Sequence, residues 1–357
     1  MIKKNILLKY LENLCNLSGP SGREDQVAKY IVNEVAKLGY EYEVDNLGSV
    51  IVRVPTNQKN APKVLIAAHM DEVGFLVLKI NDDGSINAKD VGGMNNANLP
   101  SQRFRLINTK NEVFKGTISA LAPHLNGTAS ASDMSFDFGF KNRKEAEIAG
   151  IKRLDMIVFD ERFTYLNHRT RAMTKAFDDR YGCALNLGLL YDIKENNIDL
   201  PIDLYIAFTV QEEVGLRGIG PVVHRVKPII CICPDASPAR DNIKPVGQGQ
   251  LDKGLLIRYM DRGHLPNPIL LDWQIKMCKR AKAPYQMFHS PGGTDANVAH
   301  KHLNGVFTLV HGIAVRNIHS ASGVFSINDL LNAYKVLLTA VTSIDEDLVT
   351  YFLNGGM

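Results

Sequence analysis

Val64-Leu65-Ile66-Ala67-Ala68-His69-Met70-Asp71 is an unbroken apolar run that closes on a histidine and an aspartate two residues apart. Such a run fits a strand covered on both faces, in a sheet sandwiched between helices. The surroundings repeat the pattern. Val50 to Val54, Ile202 to Val210, Ile229 to Cys233 and Val306 to Val310 read as further strands. Ile2, Ile6, Leu7, Tyr10, Leu11, Leu14 and Leu17 recur at helical spacing until Ser18-Gly19-Pro20-Ser21-Gly22 stops them. Ser21, with Glu24 three residues on, has the form of a capping box for a second helix, striped by Val27, Tyr30, Ile31, Val35 and Leu38. Tyr181 to Ile193, Leu270 to Ala281, Asp295 to Lys301 and Asn328 to Val341 also read as helices. This alternation predicts an α/β fold with a mixed sheet flanked by helices.

From about Asp71 to Phe163 the texture changes. Short β-rich runs (Phe75 to Ile80, Phe104 to Ile107, Val113 to Ile118) alternate with turns such as Asn81-Asp82-Asp83-Gly84. Val91-Gly92-Gly93-Met94 and Leu125 to Ser130 read as loops. The expected organisation is one larger domain, residues 1–70 and 164–357, interrupted by a small β-rich domain over residues 71–163.

Composition excludes several classes. With 357 residues, 45% apolar and 22% charged, the chain is globular and long enough for two domains or one large one. Lys+Arg total 41 against 38 Asp+Glu, with no basic block, which argues against nucleic-acid or membrane partners. No run approaches the ~20 apolar residues of a membrane span. Met1-Ile2-Lys3-Lys4 has the charge of a signal peptide, but Lys9, Glu12 and Asn13 break any apolar core behind it, so a cytoplasmic protein is expected. Five cysteines, odd in number and sparse, do not form a disulfide framework, and Cys231 and Cys233 read as small buried hydrophobes.

Polar residues cluster just past the apolar strands, where open α/β sheets bind ligands. His69-Met70-Asp71 follows the first run, and Asp71 can fix the ring of His69. Asp178 and Asp179 precede a helix, as a cap or as a carboxylate bridging two cations. Glu212-Glu213 follows Val210, either as an exposed acidic turn or as one cation ligand beside one base. Asp235 and His319 follow two further strands. Together, His69, Asp178, Glu213, Asp235 and His319 offer five ligands without a thiolate, a set suited to zinc, cobalt or manganese. A two-metal site needs a shared ligand, and Asp178 is the candidate. Glu212 is then left as a general base.

In these residues the sequence resembles the M42 family of metallo-aminopeptidases, a branch of the co-catalytic zinc peptidases. The resemblance rests on His69-Met70-Asp71-Glu72-Val73-Gly74-Phe75, Phe177 to Gly182, Val210 to Gly218, Gly292-Gly293-Thr294-Asp295-Ala296 and Ile318-His319-Ser320. Ser101 to Phe104 and Ile257 to His264 look like its glutamyl aminopeptidase branch. The resemblance implies two divalent metal ions, zinc or cobalt. His69 and Asp235 would hold one and Glu213 and His319 the other, with Asp178 between them. It implies Glu212 and Asp71 as catalytic residues, a cis bond between Asp178 and Asp179, a β-rich dimerisation domain, and a homo-oligomer, a hollow dodecamer. Two departures stand out. Ser320 is followed by Ala321-Ser322-Gly323 where many relatives have Pro and Glu, and Met94 replaces a Trp common after the paired glycines.

The expected activity is removal of N-terminal residues from short peptides, with Glu or Asp preferred and Arg258 as the cation that meets the acidic side chain. The alternatives are a broad leucine-preferring or deblocking aminopeptidase, a carboxypeptidase or deacylase on the same metal scaffold, a glycoside hydrolase using paired carboxylates, and a non-catalytic assembly protein.

Overall fold

The computed structural model describes residues 2–119, 135–243 and 247–356. The loop expected over Leu125 to Ser130 lies outside them. In chain order the strands are β1 Tyr42–Val44, β2 Val50–Val54, β3 Lys63–His69, β4 Gly74–Ile80, β5 Ile86–Val91, β6 Arg103–Ile107, β7 Val113–Ile118, β8 Phe136–Asp137, β9 Met156–Phe159, β10 Thr164–Leu166, β11 Arg171–Thr174, β12 Asp203–Thr209, β13 Ile230–Pro238, β14 Leu255–Met260, β15 Tyr285–His289, β16 Phe307–Arg316 and β17 Gly323–Ser326. The helices are α1 Lys4–Asn16, α2 Asp25–Lys37, α3 Arg143–Ile148, α4 Phe177–Glu195, α5 Ile219–Val226, α6 Pro268–Arg280, α7 Ala296–Ala299, α8 Ile327–Val341 and α9 Glu346–Leu353.

Eleven strands form one mixed sheet. Its main path runs β1-β2-β12-β3-β13-β16-β17-β11-β10, and β14 and β15 branch from β16. At its centre β12, β3, β13 and β16 are mutually parallel. The opening run shows how the sheet is buried on both sides. Val64, Ile66 and Ala68 point into the core with residues of α1, α4 and α8, while Leu65 and Ala67 point the other way with residues of α5 and α7. Each of the buried Val, Leu and Ile side chains contributes about 1.5–3 kcal/mol, and each Ala methyl less.

Residues 74–159 carry a second sheet, a closed barrel in the order β4-β5-β8-β7-β6-β9. Phe75, Phe104, Phe136 and Phe159 fill it, with the Phe104 ring 5.8, 5.2 and 5.0 Å from those of Phe75, Phe136 and Phe159. Where the chain passes from β3 towards the barrel, buried charges fasten it. Lys175 Nζ lies 2.7 Å from both Glu72 carboxylate oxygens and donates to Leu17 O at 2.6 Å. Arg180 donates to Met70 O and Leu14 O at 2.7 and 2.6 Å.

Three local expectations are corrected. Ser21 does not cap α2; the N-cap is Glu24, with no side-chain cap bond. The Ser21 hydroxyl donates instead to Asp71 Oδ2 at 2.6 Å, because a buried carboxylate is the stronger acceptor. The strand expected to end at Cys233 continues to Pro238, so Asp235 lies within β13, held by its pairing with β16. β16 likewise extends beyond Val310 to Arg316, where β14 and β17 pair with it. Among the described residues no helix is long and apolar enough to cross a membrane.

Candidate metal centre

The parallel strands deliver their polar residues to one edge of the sheet. His69 closes β3, the turn after β12 carries Glu212 and Glu213, β13 presents Asp235, and the turn after β16 carries His319. Asp178 enters at the start of α4, where Ala176 takes a left-handed backbone (φ 54°, ψ 24°) and the Asp178–Asp179 peptide is cis. Gln211, Leu216, Asn317 and His319 also have positive φ. None of these five is a glycine, so the edge of the sheet holds a concentration of costly backbone conformations, as functional sites often do.

Asp178 stands between the two imidazoles. Its Oδ1 lies 3.2 Å from His69 Nε2 and its Oδ2 lies 3.2 Å from His319 Nε2. Glu213 Oε1 lies 3.3 Å from the same nitrogen of His319, and Glu212 Oε2 lies 3.9 Å from His69 Nε2. One ligand atom from each of His69, Glu212 and Asp235 falls within 4.8 Å of the others, and the same is true of His69, Asp178 and Glu213. The five ligand candidates and Glu212 are therefore brought together, and Glu212 stands within reach of the first position.

Asp71 lies behind them. His69 Nδ1 is 3.2 Å from the Asp71 main-chain carbonyl and 3.4 Å from its Oδ1. The Asp71 carboxylate also accepts the backbone N–H groups of Glu212 and Glu213 at 3.0 and 3.1 Å, beside the Ser21 hydroxyl. One buried carboxylate thus ties β3, the Glu212–Glu213 turn and the loop before α2 together. Sequence reasoning read Ser21 as a helix cap and missed this role, whose only signal was a hydroxyl among turn residues. On the far side of the acidic turn, Thr209 Oγ1 donates to Asp295 Oδ2 at 2.7 Å.

The electrostatics follow from crowding acids in a dry edge. Burial pushes the Glu212 and Asp235 carboxyls well above the usual range and Glu213 up to about 7. Burial would raise Asp178 as well, but hydrogen bonds from His319 and His69 hold it well below. Burial opposes protonation of His319, yet Asp178 and Glu213 lift it to about 10. Five acidic side chains, Asp71 among them, thus face two imidazoles, and burial holds three of the five towards their neutral forms.

A cleft of about 690 Å³ opens on this edge, and Asp178, Glu212, Glu213, Asp235, Arg258 and Arg262 line it. Arg258 is only 3% exposed. Its Nη2 donates to Ser237 Oγ at 2.6 Å, its Nη1 lies 3.4 Å from Asp261 Oδ2, and its Nε has no partner among the described residues.

The family model for M42 glutamyl aminopeptidases matches residues 48–336. The chain belongs to the M42 peptidase family. It is 34% identical to the glutamyl aminopeptidase of Lactococcus lactis subsp. cremoris, covering 98% of this chain and 99% of that one. It is 31% identical to the lysyl aminopeptidase of Pyrococcus furiosus, over 94% and 96%. Among solved structures, the TET aminopeptidase of the marine sediment archaeon Thaumarchaeota archaeon SCGC AB-539-E09 superposes with a TM-score of 0.92 at 32% identity, covering 97% and 99%. The TET1 peptidase of Pyrococcus horikoshii, described as assembling into a tetrahedron or a large octahedral shell, superposes at 0.85 with 26% identity, over 95% and 100%. This M42 peptidase is therefore an aminopeptidase, a hydrolase of peptide bonds, with the α/β fold of the co-catalytic metallopeptidases.

The family implies divalent metal, and the residues fit it. The donors are imidazole and carboxylate, Glu213 Oε1 is buried with no hydrogen bond among the described residues although it faces His319, and a cation among five crowded acids would favour their ionised forms.

Proposed function

We propose that this M42 peptidase is a dinuclear aminopeptidase that removes N-terminal residues from short peptides and prefers Glu or Asp. The observation that carries the two-metal reading is Asp178, each of whose carboxylate oxygens faces a different histidine at 3.2 Å. In this reading His69 and Asp235 would hold one ion, Glu213 and His319 would hold the other, and Asp178 would serve both. Zinc or cobalt suits this donor set. When bound, the ions polarise the scissile carbonyl and acidify water.

The remaining work belongs to the chain. Glu212 takes a proton from the attacking water and passes it to the departing amine. Asp71 holds His69 in orientation and fixes the backbone that carries Glu212. The acidic edge of the cleft receives the free α-amino group, which makes cleavage exo rather than endo. Arg258 supplies positive charge for an acidic first side chain. The names glutamyl and lysyl among relatives indicate that this scaffold sorts substrates by side-chain charge.

The same reading makes residues 71–163 a dimerisation domain inserted into a catalytic domain of residues 1–70 and 164–357, and makes the assembly a dodecamer, as the similar PhTET1-12s structure is described. It makes the protein cytoplasmic, supported by five buried cysteines that are all free thiols. A glycoside hydrolase would leave His69 and His319 without a role.

The test is Glu212→Gln. Turnover of Glu-p-nitroanilide should fall by at least about 10²-fold while metal content, measured by atomic emission, stays at two per chain. Full activity would reject Glu212 as the base. Comparing Glu-, Asp- and Leu-p-nitroanilide tests the preference, and faster Leu cleavage would reject it. N-acetylated peptides should resist the enzyme, and a chelator should abolish turnover.

A further inference from the structure

The cleft is lined by residues of two unlike kinds. One group is the acidic edge described above. The other is Arg258, Arg262, Gly292, Gly293 and Asn297. Asn297 is 7% exposed, and its orientation is fixed by a hydrogen bond from Thr294 N to its Oδ1 at 3.2 Å. That bond makes Nδ2 the opposite end of the carboxamide, and Nδ2 has no hydrogen-bond partner among the described residues. Two glycines clear the space around it. A Cβ on Gly263 would lie 2.5 Å from Nδ2, and one on Gly293 would lie 2.7 Å from it, closer than real side chains approach. Both glycines adjoin the basic group. Arg262 N donates to Gly292 O, and Asp261, which meets Arg258, accepts the N–H groups of Gly263 and His264. A fixed amide donor with no protein acceptor, on the wall of a cleft, is free to pair with an acceptor that enters that cleft.

We propose that Asn297 is a specificity-determining residue whose Nδ2 donates to the side-chain carboxylate of an acidic N-terminal substrate residue. The inference rests on the aminopeptidase reading and deepens its Glu/Asp preference. An amino acid bound with its ammonium at the acidic edge turns its side chain away, towards Arg258, Arg262 and Asn297. Arginine there supplies charge, and the carboxamide supplies a directed hydrogen bond that a Leu side chain cannot accept. A site built around such a donor discriminates strongly against substrates lacking the acceptor.

The experiment uses the full chain and measures kcat and KM for Glu-, Leu- and Lys-p-nitroanilide. Asn297→Ala should lower the Glu:Leu ratio of kcat/KM about 10- to 100-fold, the range of one hydrogen bond to a charged group, chiefly through KM. Asn297→Asp keeps the acceptor for Thr294 and puts a carboxylate where the donor was. It should lower the ratio further and raise Lys turnover relative to Glu. Gly293→Ala, which crowds Nδ2 without removing it, should lower the ratio in the same direction. A Glu:Leu ratio within twofold of wild type in folded Asn297→Ala overturns the proposal. If that variant does not fold, an unchanged ratio in Asn297→Asp overturns it equally. Wild-type enzyme that cuts Leu faster than Glu removes the acidic preference itself. A Glu preference that survives in the variants removes only the role of the carboxamide.

Discussion

Glu72→Gln tests the buried charges behind the site. Glu72 is 2% exposed, Lys175 lies 2.7 Å from both its oxygens, and Arg180 Nη2 lies 3.4 Å from Oε1. The substitution is nearly isosteric, yet it leaves two buried cations without their carboxylate. Removing one partner of a buried pair costs about 3–5 kcal/mol. The low end applies here, because Lys175 can shed its proton, whereas Arg180 cannot but keeps carbonyls of Met70, Leu14 and Gly19. We expect a loss of about 3 kcal/mol at pH 7, a fall in Tm of roughly 4 °C. The loss should depend on pH. In the wild type, burial lowers Lys175 from 10.5 to about 8 against the pull of Glu72. Its folded pKa lies below its unfolded one, so wild-type stability rises with pH between about 8 and 10.5. Without Glu72 the lysine is neutral at still lower pH. At pH 9 it is mostly neutral in both proteins, and the deficit should shrink to about half. Urea denaturation at pH 7 and 9 measures both quantities. Adding Lys175→Met to Glu72→Gln should recover about half of the loss. A deficit under about 1 kcal/mol at pH 7, or one equal at both pH values, would refute the reasoning.

Ser21→Ala should weaken zinc affinity roughly 10-fold in a chelator competition, since partners behind a metal ligand commonly act at this scale, and Ser21→Thr should restore it. His311 is buried against Ala333 O at 2.8 Å, and burial lowers its pKa to about 4. Its contribution is therefore complete above pH 6.5 and is lost as pH falls towards 4, about 3 kcal/mol in all; His311→Gln should flatten that limb in denaturation at pH 7 and 4.5. Ala176→Gly, at φ 54°, should relieve left-handed strain and raise stability by about 0.5–1 kcal/mol by differential scanning calorimetry.

The central sheet was legible because its strands announce themselves physically. A run such as Val64 to Ala68 has no polar position, which only burial on both faces tolerates, and the structure sends alternate residues to two separate cores. The meeting of His69, Glu213 and His319 was legible because side chains at or just past the ends of parallel strands must arrive at one edge, whereas Asp178 at the start of α4 and Asp235 inside β13 join them only through the tertiary fold. The extents of β13 and β16 were not, because their later residues are held by pairing with strands remote in sequence. The barrel was visible only as β-rich texture, since its closure depends on distant pairings such as Phe75 with Ile157 and Ile86 with Phe136. Asn297 and Arg262 escaped notice for a similar reason. An amide and a guanidinium gain meaning only when folding sets them in one cleft with a row of acids. The left-handed residues Ala176, Gln211 and His319 carry no turn signature at all.

The bond from Ser21 to Asp71 has a practical consequence for handling the protein. The opening two dozen residues contain none of the ligands, and a worker seeking a minimal enzyme would trim them first. Yet their loop grips the same carboxylate that steadies an imidazole and the proposed base. A shortened chain would keep every proposed ligand and still lose the clamp on His69 and on the turn that carries Glu212 and Glu213.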